Sequence, residues 1–263
     1  MTAPIRSREG QHVVVTGAGT GIGRQIALRL ASEGADLGLV ARERGRLERT
    51  AAEAREVSGV AVHVRACDIR DRTAVEQAFD EVVAANGPLS ALVANSGIGG
   101  PNTPGDGDRF DDLVATNLVG SYHCLRAAES RLAPGPGPRH LVAIASILAR
   151  IGVAGYTGYC ASKAGLLGLV RALAIELAPR DVQVNSVCPG WVDTDMAREG
   201  IEAMARDMSV SPEEARAIAM REVPLGRMSA PADVAGLVSW LLSPDARGVT
   251  GQAIDMNGGA FML

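Results

Sequence analysis

Aromatic residues are scarce in this chain: phenylalanine, tryptophan and tyrosine together make up 3% of its 263 residues. A core with so few rings must be built mainly from alanine, valine, leucine and isoleucine, and that composition favours a parallel sheet covered by helices. Long apolar runs are absent as well, since none approaches the roughly 18 to 20 residues that a membrane-spanning helix needs. The first residues also lack the apolar block of a signal peptide, so we expect a cytoplasmic protein with no membrane partner.

An excess of positive charge is missing too. The chain has 26 basic and 30 acidic residues, a formal net charge of -4, which indicates no surface for nucleic acid. Cysteines are few, and they form no CxxC pair and no cluster with histidine: Cys67, Cys124, Cys160 and Cys188. We therefore predict no metal site and no disulfide, and we interpret the four thiols as small side chains in or near the core.

The sequence does contain an alternation of short β-branched runs with longer amphipathic stretches, a pattern typical of a parallel sheet with crossover helices. We predict seven strands, over His12–Thr16, Ala35–Val40, Val60–Ala66, Leu89–Ala94, His140–Ala145, Val182–Val187 and Gln252–Asp255. Helical patterns begin near Gly21, Glu43, Asp71, Asp108, Tyr156 and Pro231. No internal repeat or interdomain linker interrupts them, so residues 1–263 are predicted to form a single domain.

Three segments break this alternation. The stretches Gly99–Gly107 and Pro134–Pro138 are too rich in glycine and proline for regular structure. The first follows the carboxyl end of a strand, where α/β sheets bind ligands, whereas the second precedes a strand and is predicted to be a surface turn. Residues 193–223 carry polar helical sequence. We interpret them as a helical lid over the substrate, with a surface or packing hairpin as the alternative.

The first predicted strand runs directly into a glycine-rich turn, Gly17–Gly23, which reads GAGTGIG and opens a helical pattern. Such a turn lets the backbone approach a pyrophosphate closely, and the helix N-terminus supplies N–H donors and a favourable dipole. The spacing is TGxxxGxG rather than the commoner GxGxxG, and packing is the alternative role for the glycines. We predict a dinucleotide site that includes Gly17, Gly19, Thr20, Gly21, Ile22 and Gly23.

The residue after the second strand indicates which dinucleotide binds. NAD-binding folds commonly place an acidic residue about 20 positions beyond the glycines, to accept from the ribose 2′-hydroxyl. Here the strand is followed by Ala41 and Arg42, and a guanidinium pairs with a 2′-phosphate that a carboxylate would repel. The sequence therefore favours NADPH/NADP+ over NADH/NAD+. The alternative is that Arg42 is a solvated charge at a helix start beside Glu43.

A second group of residues is suited to proton transfer. Tyr159 and Lys163 lie four residues apart, one turn along the same face of a predicted helix. A free phenol has a pKa near 10, and a nearby lysine charge, together with the positive oxidised nicotinamide, lowers that pKa. Ser146 stands at the end of the fifth strand, where its hydroxyl is able to donate to a substrate carbonyl oxygen.

Taken together, these motifs mean that the chain resembles the short-chain dehydrogenase/reductase family over nearly its whole length. The matching pieces, in the family's order, are Thr16–Gly23, Asp68, Asn95-Ser96-Gly97, Asn117, Ser146, Tyr159–Lys163, Pro189-Gly190 and Thr194. The resemblance implies a Rossmann-like, doubly wound α/β fold whose seven-stranded parallel sheet has helices on both faces. It also implies a homotetramer built from helix and C-terminal contacts.

The resemblance further implies a catalytic tetrad. Tyr159 acts as the general acid in reduction, and Ser146 positions the carbonyl. Lys163 holds the nicotinamide ribose and lowers the pKa of Tyr159, while Asn117 supports a water in the proton path. Cofactor contacts are implied at Asp68, Ile69, Asn95, Gly97, Tyr159, Lys163, Pro189, Gly190, Val192 and Thr194.

Two of these positions carry their own expectations. Asp68 follows the third strand and is a candidate acceptor for the adenine amino group, with a helix N-cap as the alternative. The family's NNAG motif reads Ala94-Asn95-Ser96-Gly97 here. Because Asn95 and Gly97 remain, we expect the turn after the fourth strand to persist with slightly altered packing.

The substrate is determined least by the sequence. We predict that the pocket is lined by Ser146, Leu148, Tyr156 and Trp191, with packing as the alternative role for Tyr156 and Trp191. The surrounding segments add a mostly apolar set, Ile98, Ile147, Ile151, Val153, Met196 and Met204. Such a pocket suits a hydrophobic or acyl-like ketone better than a sugar. Similarity to bacterial 3-oxoacyl-carrier-protein and polyketide ketoreductases favours the same substrate class without identifying a compound.

We therefore predict an enzyme that reduces a β-ketoacyl or polyketide-like ketone to a secondary alcohol with NADPH. The small-molecule ketone is either free or linked to a carrier protein or coenzyme A, with Arg150 and Arg198 as candidate contacts to a carrier. An NAD(H)-dependent secondary-alcohol dehydrogenase is the alternative within the same class. A catalytically silent NADP-binding sensor is a remote alternative, because such a protein would be free to lose Tyr159 or Lys163 and neither is lost.

Overall fold

A seven-stranded parallel sheet forms the centre of the protein in the computed structural model, which describes residues 7–135, 137 and 139–262. The strands lie in the order β3-β2-β1-β4-β5-β6-β7. Their bounds are β1 His12–Thr16, β2 Asp36–Ala41, β3 Val62–Ala66, β4 Ala91–Ala94, β5 His140–Ile144, β6 Gln183–Pro189 and β7 Ala253–Met256. Every strand end lies within two residues of its predicted position, and the predicted doubly wound α/β fold is confirmed.

Helices connect the strands and cover the sheet. Their bounds are α1 Gly21–Ser32, α2 Arg44–Ser58, α3 Arg72–Asn86, α4 Phe110–Val114, α5 Ser121–Glu129, α6 Thr157–Leu177, α7 Asp195–Met208, α8 Pro212–Arg221 and α9 Pro231–Leu241. Local sequence sets several of their ends. Asp71 caps α3 by accepting from the amide of Ala74, and Gly59 ends α2 in the left-handed conformation, at φ 69°. Among the described residues, no helix is long and apolar enough to cross a membrane.

Each face of the sheet has its own apolar core, because alternate residues of a strand point to opposite faces. On one face Val13 and Val15 of β1 pack with residues of α1, α2 and α9. On the other face Val14 packs with α3, α5 and α6, where Phe79 is the largest fully buried side chain. The helices contribute many alanines to both cores, which is how a chain with few aromatic residues fills the space between helix and sheet.

The helix predicted from Asp108 is interrupted. It folds as α4, followed by a π-helical segment, Ala115–Gly120, and then by α5. Single π-helical turns within α-helices are rare and occur frequently at functional sites. This one carries Asn117, whose side chain is fully buried.

Two loops and a helical hairpin correspond to the segments that break the alternation in the sequence. Residues 99–107 have no regular structure, as predicted. The predicted surface turn at residues 134–138 lies partly outside the described residues, since positions 136 and 138 are not described. Residues 193–223 form the helical hairpin of α7 and α8, which has an apolar cluster of its own: Ile201, Ala205, Ala215, Ala219 and Met228.

The strand order reverses direction between β1 and β4. In open α/β sheets, ligands bind at such a switch point, outside the carboxyl ends of the strands. The glycine turn follows β1 here, Asn95 follows β4, Ser146 lies just beyond β5, and Pro189 ends β6. The fold therefore gathers motifs that are far apart in sequence around one crevice.

At the opposite, amino-terminal edge of the sheet, His140 begins β5 between Ala91 of β4 and Gln183 of β6. It is 3% exposed, and neither ring nitrogen has a hydrogen-bond partner within the described part of the chain. Burial lowers the pKa of His140 to about 4; the charge of Arg8 acts in the same direction, and Asp181 opposes it. The folded protein therefore binds a proton at this ring more weakly than the unfolded chain does.

We expect acid to destabilise the fold between about pH 6.5 and pH 4. The unfolded chain takes up a proton at His140 near pH 6.5, whereas the folded protein resists protonation down to about pH 4. The free energy of unfolding should thus fall with pH across this window, by up to about 3 kcal/mol from this residue. Urea unfolding at a series of pH values measures the slope. The variant His140→Leu should show a shallower slope, and an unchanged slope would contradict the assignment.

Candidate active site

The glycine turn after β1 leaves room only for backbone. Gly17 adopts a φ of 66°, and a Cβ there would lie 2.8 Å from Nδ2 of Asn95, while a Cβ at Gly23 would overlap the carbonyl oxygen of Gly17. Asn95 fastens the turn by donating from Nδ2 to the carbonyl of Thr16 at 3.0 Å. These glycines therefore have a packing role, because the turn closes on itself and on the end of β4, and their role in binding a dinucleotide stays a prediction.

The N-terminus of α1 is suited to an anion. Its N-cap, Thr20, makes no side-chain capping bond, and the first turn has no acidic residue. The first amides of the helix therefore have no acceptor from a cap, and the helix dipole favours negative charge at this end. A pyrophosphate fits this combination of free amides and close glycine backbone, so the residues present fit the implied dinucleotide.

The segment that follows β6 forms the other side of the crevice. Thr194 caps α7 by accepting from the amide of Ala197 at 3.3 Å. Its methyl group lies 3.2 Å from the position a Cβ would take at Gly21, so the two predicted cofactor segments meet. Gly190 packs closely against Asn257, and Val192 is buried in the core on the face of the sheet that α1, α2 and α9 cover.

Arg42 lies at the end of β2 with an exposed side chain. Among the described residues it forms no ion pair, and the adjacent Glu43 is paired with Arg46 at 2.7 Å instead. Asp68 is held by Arg70, whose side-chain hydrogen bonds are the largest cause of its lowered pKa; the charge of Arg42 adds to the effect. Asp68 is not a helix N-cap, since Asp71 caps α3, and Arg42 remains available to a phosphate.

Ile69, next to Asp68, was predicted as a cofactor contact. The structure buries its side chain, which is 4% exposed, against Gly120 at the end of the π-helical segment. Its carbonyl oxygen lies 3.2 Å from Nδ1 of His123. The side chain therefore belongs to the core beside the crevice, and the adenine contact expected nearby stays a prediction.

Helix α6 places Tyr159 and Lys163 on one face, with Nζ of Lys163 5.8 Å from the centroid of the phenol ring. Ser146 is hydrogen-bonded to the phenol of Tyr159. The Ser146 oxygen also accepts from the amide of Leu148 at 3.1 Å, so its own proton is free to be donated. These contacts bring three members of the predicted tetrad together at the end of β5.

Lys163 is the only lysine in the chain, whose other basic residues are all arginine. It is 5% exposed, and its Nζ donates to the carbonyl oxygen of Ile144 at 2.9 Å. Burial lowers the pKa of Lys163 to about 8, because the charged form loses its hydration. The amine thus changes its protonation state near neutral pH rather than staying fully charged.

The pKa of Tyr159 is raised by burial, and the hydrogen bond from Ser146 opposes the rise only in part. This differs from the expectation that Lys163 lowers the pKa of the phenol. The physical reason lies in the burial of both groups: the ammonium is directed at the carbonyl of Ile144, and its own charge is disfavoured. The phenol therefore keeps its proton in this structure, which is the state a proton donor requires.

Asn117, the fourth member of the tetrad, uses both donors and one of the two acceptor sites of its side-chain amide within the protein. Its Oδ1 accepts from the amide of Ile98 at 2.9 Å, and its Nδ2 donates to the carbonyl of Ile98 at 3.0 Å and to Oγ of Ser162 at 3.1 Å. The side chain therefore braces the loop after β4 against α6, three residues from Tyr159. The contact with water that the resemblance implies stays a prediction.

The hairpin borders the predicted pocket on two sides. The sulfur of Met196, at the start of α7, lies 2.9 Å from the position of a Cβ at Gly99. Tyr156 is half-buried, and its raised pKa has burial as the main cause and Asp207 of α7 as a second one. The predicted lid thus lies against the glycine-rich loop, and the charge of Asp207 acts on the residue that precedes α6.

Two other predicted residues have packing contacts instead. Trp191 lies 3.6 Å from the position of a Cβ at Gly200 and, with Met204, packs on the apolar cluster of the hairpin. Trp191 therefore has the packing contacts that were the alternative to a place in the pocket lining. Arg150 and Arg198, the candidate carrier contacts, are paired within the chain, Arg150 with Asp255 at 3.1 Å and Arg198 with two aspartates of its own segment.

The sequence reasoning missed Asn102. This residue lies in the glycine-rich loop, is 5% exposed, and bonds to the first turn of α6. An asparagine among glycines and prolines is typical of a turn, so no pattern in the sequence distinguishes it from an exposed loop residue.

Comparison with known proteins agrees with this geometry. The family model described as enoyl-(acyl carrier protein) reductase matches residues 17–260. A Streptomyces coelicolor protein that carries the name ketoacyl reductase is 38% identical over 260 residues, 97% of this chain and 98% of that protein. The 3-oxoacyl-(acyl-carrier-protein) reductase FabG of Staphylococcus aureus is 33% identical over 253 residues, 95% of this chain and 97% of that protein.

Solved structures are similar over nearly the whole chain. Levodione reductase superposes with a TM-score of 0.89 at 28% identity, over 96% of this chain and 98% of that one. A variant of the actinorhodin polyketide ketoreductase with NADPH superposes with a TM-score of 0.88 at 36% identity, over 97% of this chain and 98% of that one.

We expect Gly23→Ala to weaken dinucleotide binding strongly. The added methyl group would overlap the Gly17 carbonyl oxygen and force the turn open, which would misplace the amides that face the pyrophosphate. Titration of NADPH by fluorescence should give a Kd raised about tenfold or more. Gly236→Ala in α9 is the matched control, because a Cβ there meets nothing within 4 Å. Equal affinity for NADPH in the two variants would contradict the assignment of the glycine turn to the pyrophosphate.

Proposed function

We propose that this protein, a member of the short-chain dehydrogenase/reductase family of oxidoreductases, is an NADP(H)-dependent ketoreductase. Its substrate is a β-ketoacyl or polyketide-like ketone, which it reduces to a secondary alcohol. One observation carries the proposal. The phenol of Tyr159 lies at the crevice, beside Ser146 and with Nζ of the buried Lys163 5.8 Å from the centroid of its ring.

The chain's own residues divide the work of reduction. The reduced nicotinamide, when bound, supplies the hydride that the carbonyl carbon accepts. Ser146 donates a hydrogen bond to the carbonyl oxygen, and Tyr159 transfers its proton to that oxygen as negative charge develops there. Lys163 stabilises the phenolate that remains, because a phenolate nearby favours the charged form of the amine. Solvent then returns a proton to Tyr159.

Arg42 supports NADP(H) rather than NAD(H) as the cofactor. Its guanidinium is exposed at the end of β2 and unpaired among the described residues, where a 2′-phosphate would accept two of its hydrogen bonds. The neighbouring acid, Glu43, does not neutralise it, because it pairs with Arg46. The actinorhodin ketoreductase variant, whose structure contains NADPH, has a similar fold.

The apolar character of the pocket mouth supports an acyl-like substrate. Val153 and Met196, which belong to the segments predicted to line the pocket, are 41% and 47% exposed, so an apolar ligand bound there would cover apolar surface. The relatives named as ketoacyl reductases act on acyl ketones by name. A carrier-linked substrate follows from that analogy, although the arginines predicted to contact a carrier are paired within the chain.

The exposed face of α6 supports the expected homotetramer. This face includes four small exposed residues and one exposed isoleucine: Ala161, Ala164, Gly168, Ala172 and Ile175. Ile175 is 78% exposed, and small residues let a second helix approach closely. The position of this face, on the side of α6 away from Lys163, leaves the crevice open in such an assembly.

The proposed function is tested by initial rates with NADPH and NADH across a panel of ketones that includes a β-ketoacyl thioester and a bulky aromatic diketone. Tyr159→Phe should lower kcat by about 10² or more, because the proton donor is lost. Its Kd for NADPH should be unchanged. Tyr122→Phe is the control, because this tyrosine of α5 is 41% exposed and has no assigned role in the site, and it should keep near-normal kcat. Near-normal turnover by the Tyr159 variant would contradict the assignment of Tyr159 as the proton donor.

The cofactor preference has its own test. Arg42→Ala should raise the Kd for NADPH about tenfold or more, through loss of a charge-assisted bond to the 2′-phosphate, and should leave the Kd for NADH within about twofold. The control is Arg44→Ala, since Arg44 is exposed nearby but paired with Glu48. Equal losses for both cofactors would mean that Arg42 does not distinguish them.

A further inference from the structure

Asn102 is the only buried residue in positions 101–110, all of which the structure describes. Its neighbours on both sides are exposed residues of the glycine- and proline-rich loop after β4. A polar side chain with 5% exposure in such a loop must find hydrogen-bond partners within the protein, because a buried amide without partners is costly. Asn102 finds all of its partners at the starts of two helices.

Every polar atom of the Asn102 side chain is used. Nδ2 donates to Oδ1 of Asp108 and to Oγ1 of Thr157, each at 3.0 Å. Oδ1 accepts from the amide of Gly158 at 2.8 Å and from the hydroxyl of Thr157 at 3.2 Å. The main-chain amide of Asn102 donates to the carbonyl of Gly155 at 2.8 Å. These bonds join the loop to Gly155, Thr157 and Gly158, which come just before Tyr159 in the chain.

These bonds replace a cap that α6 lacks. The N-cap position of α6 is Tyr156, whose side chain makes no capping bond. The first amides of a helix have no intrahelical acceptor, and here the amide of Gly158 finds its acceptor in Asn102, from another segment of the chain. Asp108, the second partner, also accepts from the amide of Phe110 at 2.9 Å. Asn102 therefore joins the first turns of α4 and α6.

We infer that Asn102 is a positioning residue for the proton donor. It holds the first turn of α6, and so keeps Tyr159, the residue after Gly158, in place against Ser146. Because the same side chain belongs to the loop that forms one wall of the pocket, the position of Tyr159 depends on the conformation of that loop. The inference rests on the proposed function, since it concerns the residue assigned there as the acid.

Asn102→Ala should lower kcat about tenfold or more, because small displacements of a catalytic group are costly. The KM for the ketone and the Kd for NADPH should stay within about twofold. Hydrogen exchange should quicken at residues 157–160 and stay unchanged in the central strands. The matched control is Asn86→Ala, which likewise removes an asparagine side-chain bond to the main chain, in this case to the carbonyl of Leu37 at 3.1 Å, far from the crevice. It should leave kcat unchanged.

A double variant separates positioning from general damage. Asn102→Asp alone keeps the acceptor for Gly158 but sets two carboxylates against each other, so it should also lower kcat. Combining it with Asp108→Asn removes the repulsion between the two carboxylates while the acceptor for Gly158 stays in place, and kcat should recover in part, to above that of Asn102→Asp alone. Thr157→Val removes one partner of Asn102 and should cause a smaller loss, which keeps the test open if Asn102→Ala does not fold.

Unchanged kcat in Asn102→Ala, or a double variant no better than Asn102→Asp alone, would overturn the inference. Failure of the proposed function looks different, because the wild-type protein itself would turn over no ketone. In that case hydrogen exchange decides: quickened exchange confined to residues 157–160 in Asn102→Ala would support positioning of this turn, and unchanged exchange there would overturn it.

Discussion

The burial of one amino group, Nζ of Lys163, is the constraint on which the site depends. An ammonium has three donors and no acceptor, so its buried position needs oxygen atoms, and the carbonyl of Ile144 at the end of β5 supplies one. The surroundings must also stay small: a Cβ at Gly97 would lie 3.5 Å from Nζ. The compact ammonium of lysine suits this space better than the larger, planar guanidinium of arginine, and the only lysine of the chain stands here.

Burial also couples the charges of the two groups on α6. It raises the pKa of Tyr159 and lowers that of Lys163 to about 8, so burial shifts each group toward its neutral form. When Tyr159 gives up its proton, the phenolate makes the ammonium form of Lys163 favourable, and the two opposite charges stabilise each other in a site of low dielectric constant. Proton donation thus creates an ion pair in place of an isolated charge.

The parts of the site that the sequence predicts are those built from contiguous residues. Gly17–Gly23 follows a strand and opens a helix, so its conformation and its place at the sheet edge could be inferred from local pattern. The pairing of Arg150 with Asp255 joins residues far apart in the chain, and no local pattern indicates it. The packing of Trp191 on the hairpin and the contacts of Asn102 depend likewise on how distant segments meet, which composition and periodicity do not determine.

Three asparagines hold these distant segments together around the crevice. Asn95 fastens the turn after β1, Asn117 braces the loop after β4 against α6, and Asn102 caps α6 from the same loop. An amide is suited to this position because it offers donors and acceptors to main-chain groups without a charge. A carboxylate in its place would raise the pKa of both Tyr159 and Lys163. Because these asparagines are uncharged, they hold Tyr159 and Lys163 in position without adding a charge beside them. The pKa shifts of the two groups then come mainly from burial.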